Sequence, residues 1–276
     1  MSAASPSFAR SRAAARAFWL ALAAAALGVA LWAHGPIAQW ADYHSFADQR
    51  AWLGMPNAAN VLSNLPFLCV GLWGLWRLRG DALSSPSASA WRAFSVALIF
   101  TAVGSASYHW APSNATLVSD RLPIAWACAG FLCAFLGERV HPRWSGPLAL
   151  GAALVCATLA VWYWWATEQS GQGDLRPYLY FQLLPMIVVP MALCLRLPVT
   201  FASATPASAW WAVLGLYAAA KVMEVADQTV FEAASIISGH TLKHLLAAAG
   251  AAWLLGGATQ GHAAAQAGDI SSGSRR

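Results

Sequence analysis

Along this chain hydrophobic residues fall in long blocks, with the charges confined to the gaps between them. The charge-free runs Ala17–Ala41, Ala51–Trp76, Ala93–Ser119, Leu122–Gly137, Trp144–Thr167, Pro177–Leu195 and Leu197–Ala220 are followed by an apolar stretch after His244. A hydrocarbon core of about 30 Å takes roughly 20 apolar residues wound as a helix. The pattern therefore predicts eight helices, near 17–34, 58–78, 91–109, 121–139, 146–165, 178–196, 208–232 and 239–258. The fourth is the shortest, because its uncharged part spans 16 residues between Arg121 and Glu138. Period-two alternation is absent and no helix-sized repeat recurs, so the expectation is one all-α bundle. The segments 1–16 and 259–276, rich in Ser, Ala and Gly, read as disordered tails.

Composition changes the solvent of that bundle from water to lipid. The 276 residues are 59% hydrophobic and 10% charged, with 16 Trp, against about 25% charge in an ordinary soluble domain. This is the profile of an integral, polytopic membrane protein with no room for a soluble domain. Arg10, Arg12 and Arg16 precede the first helix, as they would in a signal peptide. No clear small-x-small cleavage site comes before Asp42, so the first helix is read as retained.

The net charge of +5 marks no nucleic-acid groove; its distribution carries the information. With eight helices, Arg10, Arg12, Arg16, Arg77, Arg79, Arg92, Arg139, Arg143, Arg196, Arg275 and Arg276 share one side, and only Arg50, Arg121 and Arg176 fall on the other. That bias places both termini in the cytoplasm and the loops near 35–57, 110–120, 166–177 and 233–239 outside. The richness in Ala, Arg and Trp fits a bacterial source, hence an inner membrane. All five cysteines lie inside helices and read as small packing residues.

Candidate chemistry gathers at the outward side. His109 ends the third helix, while His240 and His244 open the eighth. A spacing of four puts His240 and His244 on one helix face, as two imidazole ligands of a tetrahedral metal would need, and His109 could add a third nitrogen. Asp120, at the expected start of the fourth helix, would have its ionised form favoured by the helix dipole. Taken singly, a membrane-edge histidine is more often a hydrogen-bonding residue than a ligand. Ionisable groups are nevertheless expensive in a bilayer, at about 2.5–3.5 kcal/mol each on insertion scales, and their concentration here points to function. On the seventh helix Lys221, Glu224 and Asp227 read first as a mutually neutralising ladder. Asp227 could also accept from the free N–H of a ligand histidine.

These residues carry a resemblance. Ser105-x-x-x-His109 within GSASYH, Asp120 eleven residues later, and His240-x-x-x-His244 within SGHTLKH resemble the motif set of the alkaline ceramidases. That family sits in a superfamily of seven-helix membrane hydrolases that also includes progestin/adipoQ-type receptors. NAANVLSNLPF (Asn57–Phe67) resembles the Asn-x-x-Ser-Asn opening of the family's first core helix. The likeness covers about 42–255, so the seven-helix domain would be 42–258, preceded by one extra transmembrane helix at 17–34.

The resemblance implies that His109, His240 and His244 hold Zn²⁺, that Asp120 takes a proton from the attacking water, and that Ser105 steadies the developing oxyanion. The implied activity is hydrolysis of the amide of a ceramide-like N-acyl lipid to a fatty acid and a long-chain amine. It also implies calcium at Asp42 and Asn57, although Ser45 and Ala47 stand where stronger oxygen ligands belong and Ca²⁺ wants six to eight oxygens. Two other readings stay open: a non-catalytic receptor or scaffold of the same superfamily with a structural metal, and a haem-binding membrane protein.

Overall fold

The computed structural model describes residues 6–80 and 85–273. Among them the regular structure is helical: α1 (Pro6–His34), α2 (Ala58–Leu62), α3 (Leu65–Arg77), α4 (Ala88–Trp110) and α5 (Asn114–Arg139) lead to a 3-10 turn at Pro142–Ser145. Then follow α6 (Pro147–Gln169), α7 (Arg176–Cys194), α8 (Ala207–Val225), α9 (Asp227–Ala234) and α10 (Gly239–Gly273). Six spans among the described residues are long and apolar enough to cross a membrane, counting α2 and α3 together, and the bent pair α8–α9 makes a seventh. The chain is an all-α, multi-pass membrane protein. α10 falls short of that apolarity among the described residues, since its first turns carry His240, Lys243 and His244.

Three expected helices differ in outline, each for a local reason. α5 starts at Asn114 rather than near 121, because Ser113 and Thr116 form a reciprocal capping box: the Ser113 hydroxyl accepts from the Thr116 N–H at 3.2 Å and the Thr116 hydroxyl from the Ser113 N–H at 3.1 Å. Asp120 therefore lies in the second turn, beyond the reach of the helix-end dipole expected for it. The helix expected over 58–78 breaks at Ser63–Asn64, where Pro66 in the first turn of α3 has no N–H to continue the ladder. The helix expected over 208–232 bends by 79° at Ala226. Helix also extends into both segments expected as tails, from Pro6 and as far as Gly273, in keeping with the high helix propensity of their alanines.

Burial follows lipid rules. Large apolar side chains such as Leu148, Trp162, Val222 and Trp253 are exposed on the outer faces of the helices, where hydrocarbon is their solvent. The interior closes on small residues. Ala or larger at Gly71, Gly104 or Gly130 would bring a Cβ to within 3.0 Å of a neighbouring helix's backbone, and such close approach is how membrane helices gain van der Waals contact. An aromatic plug holds the end of the bundle away from the histidines, with Trp210 packed against Trp91, Phe131 and Phe135 at centroid distances of 5.6, 5.1 and 4.8 Å. α1 lies against α7, where the Tyr180 hydroxyl donates to the Ala24 carbonyl at 3.3 Å.

Candidate functional site

Short connections bring the polar residues together. The turn at Ala111–Ser113 joins the end of α4 to the start of α5, and α10 begins at the same level. His109 lies in the last turn of α4, and His240 and His244 in the first two turns of α10. Their ring centroids are 4.8 Å (His109–His240), 5.0 Å (His109–His244) and 4.9 Å (His240–His244) apart. One ring nitrogen from each lies within 4.8 Å of the other two, and all three side chains are buried.

Hydrogen bonding indicates what the cluster is for. Nδ1 of His109 and Nε2 of His240 are buried without a partner, whereas native buried polar atoms are overwhelmingly paired. Three buried imidazoles offering one nitrogen each within 4.8 Å of the others, two of them with a ring nitrogen that has no partner, form a set that could hold a metal ion taking nitrogen ligands. Rings this close leave no space for a porphyrin between them, so no two of them could form the axial pair of a haem. His244 is oriented by Ser63, whose hydroxyl lies 2.8 Å from Nδ1, and Phe46 packs on the rings of His109 and His240 at 4.6 and 4.9 Å.

Asp227 does other work than expected. Its carboxylate accepts backbone N–H groups from His240 at 2.7 Å and Ala47 at 3.0 Å, not a histidine ring nitrogen. It pins the start of α10 and the 42–57 loop to the α8–α9 bend. Gly239 permits the close approach, since a Cβ there would sit 2.1 Å from the Met223 carbonyl oxygen. Glu224 lies between Lys221 and Lys243, the latter at 3.0 Å, so the ladder expected on one helix is shared with α10.

The 42–57 loop has few carboxylates free for calcium. Arg50 takes both oxygens of Asp48, Nε to Oδ1 and Nη2 to Oδ2, each at 2.8 Å, and also reaches the carbonyls of Ser235 at 3.0 Å and Ile236 at 2.9 Å. The guanidinium hydrogen-bonded to Asp48 holds its carboxyl below the usual range. Asn57 donates its amide to the His109 carbonyl at 2.8 Å. Asp42 is then the loop's only carboxylate outside an ion pair, so most oxygens for a calcium ion would have to be carbonyls. A protein cation, Arg50, ties this loop to the Ser235 and Ile236 carbonyls, and the Asn57 amide nitrogen serves the His109 backbone.

Ser105 and Asp120 line a cavity of about 590 Å³ together with His240 and His244. The Ser105 hydroxyl lies against the Asp120 carboxylate, and both are buried. From this polar end the cavity continues between helices past Leu98, Phe94 and Phe131, a size and character suited to a chain-bearing ligand. Reading by residue type missed Ser63 and Asn60. The Asn60 side-chain oxygen accepts from the Thr241 hydroxyl at 2.9 Å, so the Asn-x-x-Ser-Asn motif acts by orienting α10. The signal was the polar pair inside an apolar helix, to which composition assigns no direction.

A sequence model of the ceramidase family matches residues 54–259, which takes in all three histidines, Ser105 and Asp120. No curated protein matches the chain.

Proposed function

The chain belongs to the ceramidase family, and from that premise we propose that it is a metal-dependent membrane amidohydrolase that cleaves a ceramide-like N-acyl lipid to a fatty acid and a long-chain amine. The observation that carries the reading is the union of three buried, mutually facing imidazoles with a carboxylate and a hydroxyl on the wall of one lipid-sized cavity. A divalent ion held by His109, His240 and His244, with zinc the best match to an all-nitrogen set, would supply Lewis-acid activation of water and of the amide carbonyl.

The chain's own residues account for the remainder. Asp120 is the group placed to accept the proton of the attacking water and to return it to the departing amine. Ser105, against that carboxylate, offers its hydroxyl as a donor where negative charge develops on the amide oxygen. Ser63 holds the His244 ring in one orientation, and Asn57 and Asp227 hold the backbones that carry His109 and His240. Phe46 packs over the His109 and His240 rings, giving the polar end one apolar wall beside these groups. The arginine distribution supports an arrangement with both termini cytoplasmic and this polar end toward the outer face.

The test is zinc stoichiometry and lipid mass spectrometry on the same purified samples. About one zinc per chain and release of fatty acid are expected. The His109→Ala, His240→Ala, His244→Ala triple variant should lose the metal, and Asp120→Asn should keep it while the rate falls by about 10²–10⁴, the usual contribution of a positioned general base. Full zinc occupancy in the triple variant, or undiminished turnover in Asp120→Asn, refutes the assignment.

A further inference from the structure

Arg121 follows Asp120 in α5 and is 3% exposed. Its guanidinium lies 4.0 Å from the ring centroid of Trp164, 5.2 Å from that of Tyr178 and 5.4 Å from that of Tyr43. This is an aromatic box on the wall of the same cavity, to which Arg121, Tyr43 and Tyr178 all contribute. Nη2 donates to the Gln39 side-chain oxygen, while Nε and Nη1 have no partner.

Among the described residues no carboxylate pairs with Arg121, whereas Arg50 and Arg176 each hold one. Of the acidic groups on that wall, Glu224 binds two lysines and Asp227 two backbone N–H groups, while Asp42 and Asp120 line it without forming an ion pair with Arg121. A buried guanidinium with idle donors is costly on its own. The aromatic faces stabilise the cation but accept no in-plane hydrogen bond. The guanidinium edge matches the paired oxygens of a phosphate, sulfonate or carboxylate, which a neutral hydroxyl or amide cannot match.

Position decides which end of a lipid would meet it. Arg121 is one residue from Asp120 and beside Gln39 and Tyr43 of the loop, at the polar end of the cavity. The acyl path runs the other way, past Leu98, Phe94 and Phe131. We propose that Arg121 receives an anionic oxygen group on the polar end of the substrate, so that this chain acts on anionic N-acyl lipids in preference to neutral ceramide. The assignment rests on the hydrolase reading of the cavity and names its substrate class.

The experiment uses the full chain, metal-loaded, in detergent micelles. Two substrates share one acyl chain and one long-chain amine; the first ends in a free hydroxyl and the second carries a phosphate on that hydroxyl. Wild type should favour the phosphorylated lipid in kcat/KM. Arg121→Gln should reduce that preference by about 10- to 100-fold, the range for losing a charge-assisted hydrogen-bonded contact, and Arg121→Lys should restore part of it. Hexadecyl phosphate, which has no amide to cleave, should bind wild type more tightly than hexadecanol and lose that advantage in Arg121→Gln, with zinc content retained.

An unchanged preference in Arg121→Gln overturns the proposal. So does inhibition of wild type by palmitate that vanishes in Arg121→Gln while the substrate preference stays, since the guanidinium would then bind the product carboxylate. Should wild type cleave neither lipid, the hydrolase reading fails separately. The hexadecyl phosphate measurement then decides Arg121 alone, equal binding by wild type and Arg121→Gln counting against it.

Discussion

Gly104→Ala is the sharpest probe of how the site is held. Gly104 precedes Ser105 on α4 and faces α5 so closely that a Cβ would lie 1.9 Å from the Ser119 carbonyl oxygen and 2.7 Å from its carbon. Real Cβ atoms essentially never approach closer than 3.0 Å. The helices must therefore separate by about 1.1 Å at this level, because the obstructing atoms are backbone and cannot rotate away. The Ser119 hydroxyl also donates to the Gly104 carbonyl at 3.1 Å, so the same shift strains a second contact. Overpacking of this kind costs about 1–3 kcal/mol, and an unyielding partner puts this case toward the upper end.

The displaced segment carries Asp120, while Ser105 and His109 stay with α4. A misplacement of about 1 Å between reacting groups lowers rates by roughly 10²-fold. The assay is thermal unfolding in detergent, zinc content and amide hydrolysis of Gly104→Ala, with Gly151→Ala on the open face of α6 as control, where a Cβ meets nothing within 4 Å. The control should change stability by no more than about 1 kcal/mol, since alanine is the better helix former. Zinc should be retained in Gly104→Ala, because all three histidines lie outside the displaced segment. Wild-type turnover and stability in Gly104→Ala would show that the α4–α5 approach does not position Asp120.

Three further outcomes are expected. Ser63→Ala should weaken zinc binding by about 10- to 100-fold, the usual effect of removing a partner that orients a ligand histidine, measured by competition with a chelator; unchanged affinity separates Ser63 from the metal. Gly239→Ala should lower both zinc content and activity, because its Cβ would meet the Met223 carbonyl oxygen at 2.1 Å and displace His240, and equal zinc loading in mutant and wild type would contradict this. The Asp48–Arg50 pair should make the 42–57 loop resistant to chymotrypsin at neutral pH. Asp48's carboxyl is lowered by its hydrogen bonds to Arg50, so the protection is complete above the ordinary carboxylate pKa of about 3.9 and is lost as pH falls through the still lower folded value. Arg50→Gln should open the loop at every pH, and protection that fades already between pH 7 and 5 would rule the pair out as its cause.

The apolar blocks alone determined that this is a multi-pass all-α membrane protein, because a backbone in hydrocarbon must satisfy its own hydrogen bonds and a helix does so from local sequence. The histidine spacing was equally local: residues 240 and 244 share a helix face wherever that helix goes. That His109 belongs with them depended on a meeting between α4 and α10 that no periodicity encodes; the helix count placed all three at the outward level, and the family resemblance joined them. The start of α5 was misplaced because the apolar count ignored the Ser113–Thr116 box, whose hydroxyls override charge as a boundary signal. The roles of Asp227, Asn57 and Asp48 were decided by tertiary structure. A carboxylate or amide in sequence offers several bonds, and which it makes is settled by the backbone that packing brings to it: His240 and Ala47 for Asp227, His109 for Asn57, and, for Asp48, Arg50 held in place by the Ser235 and Ile236 carbonyls. Arg121 followed the same rule in reverse, counted in sequence only as an outward charge until the fold surrounded it with aromatic rings and left two of its donors facing no acceptor.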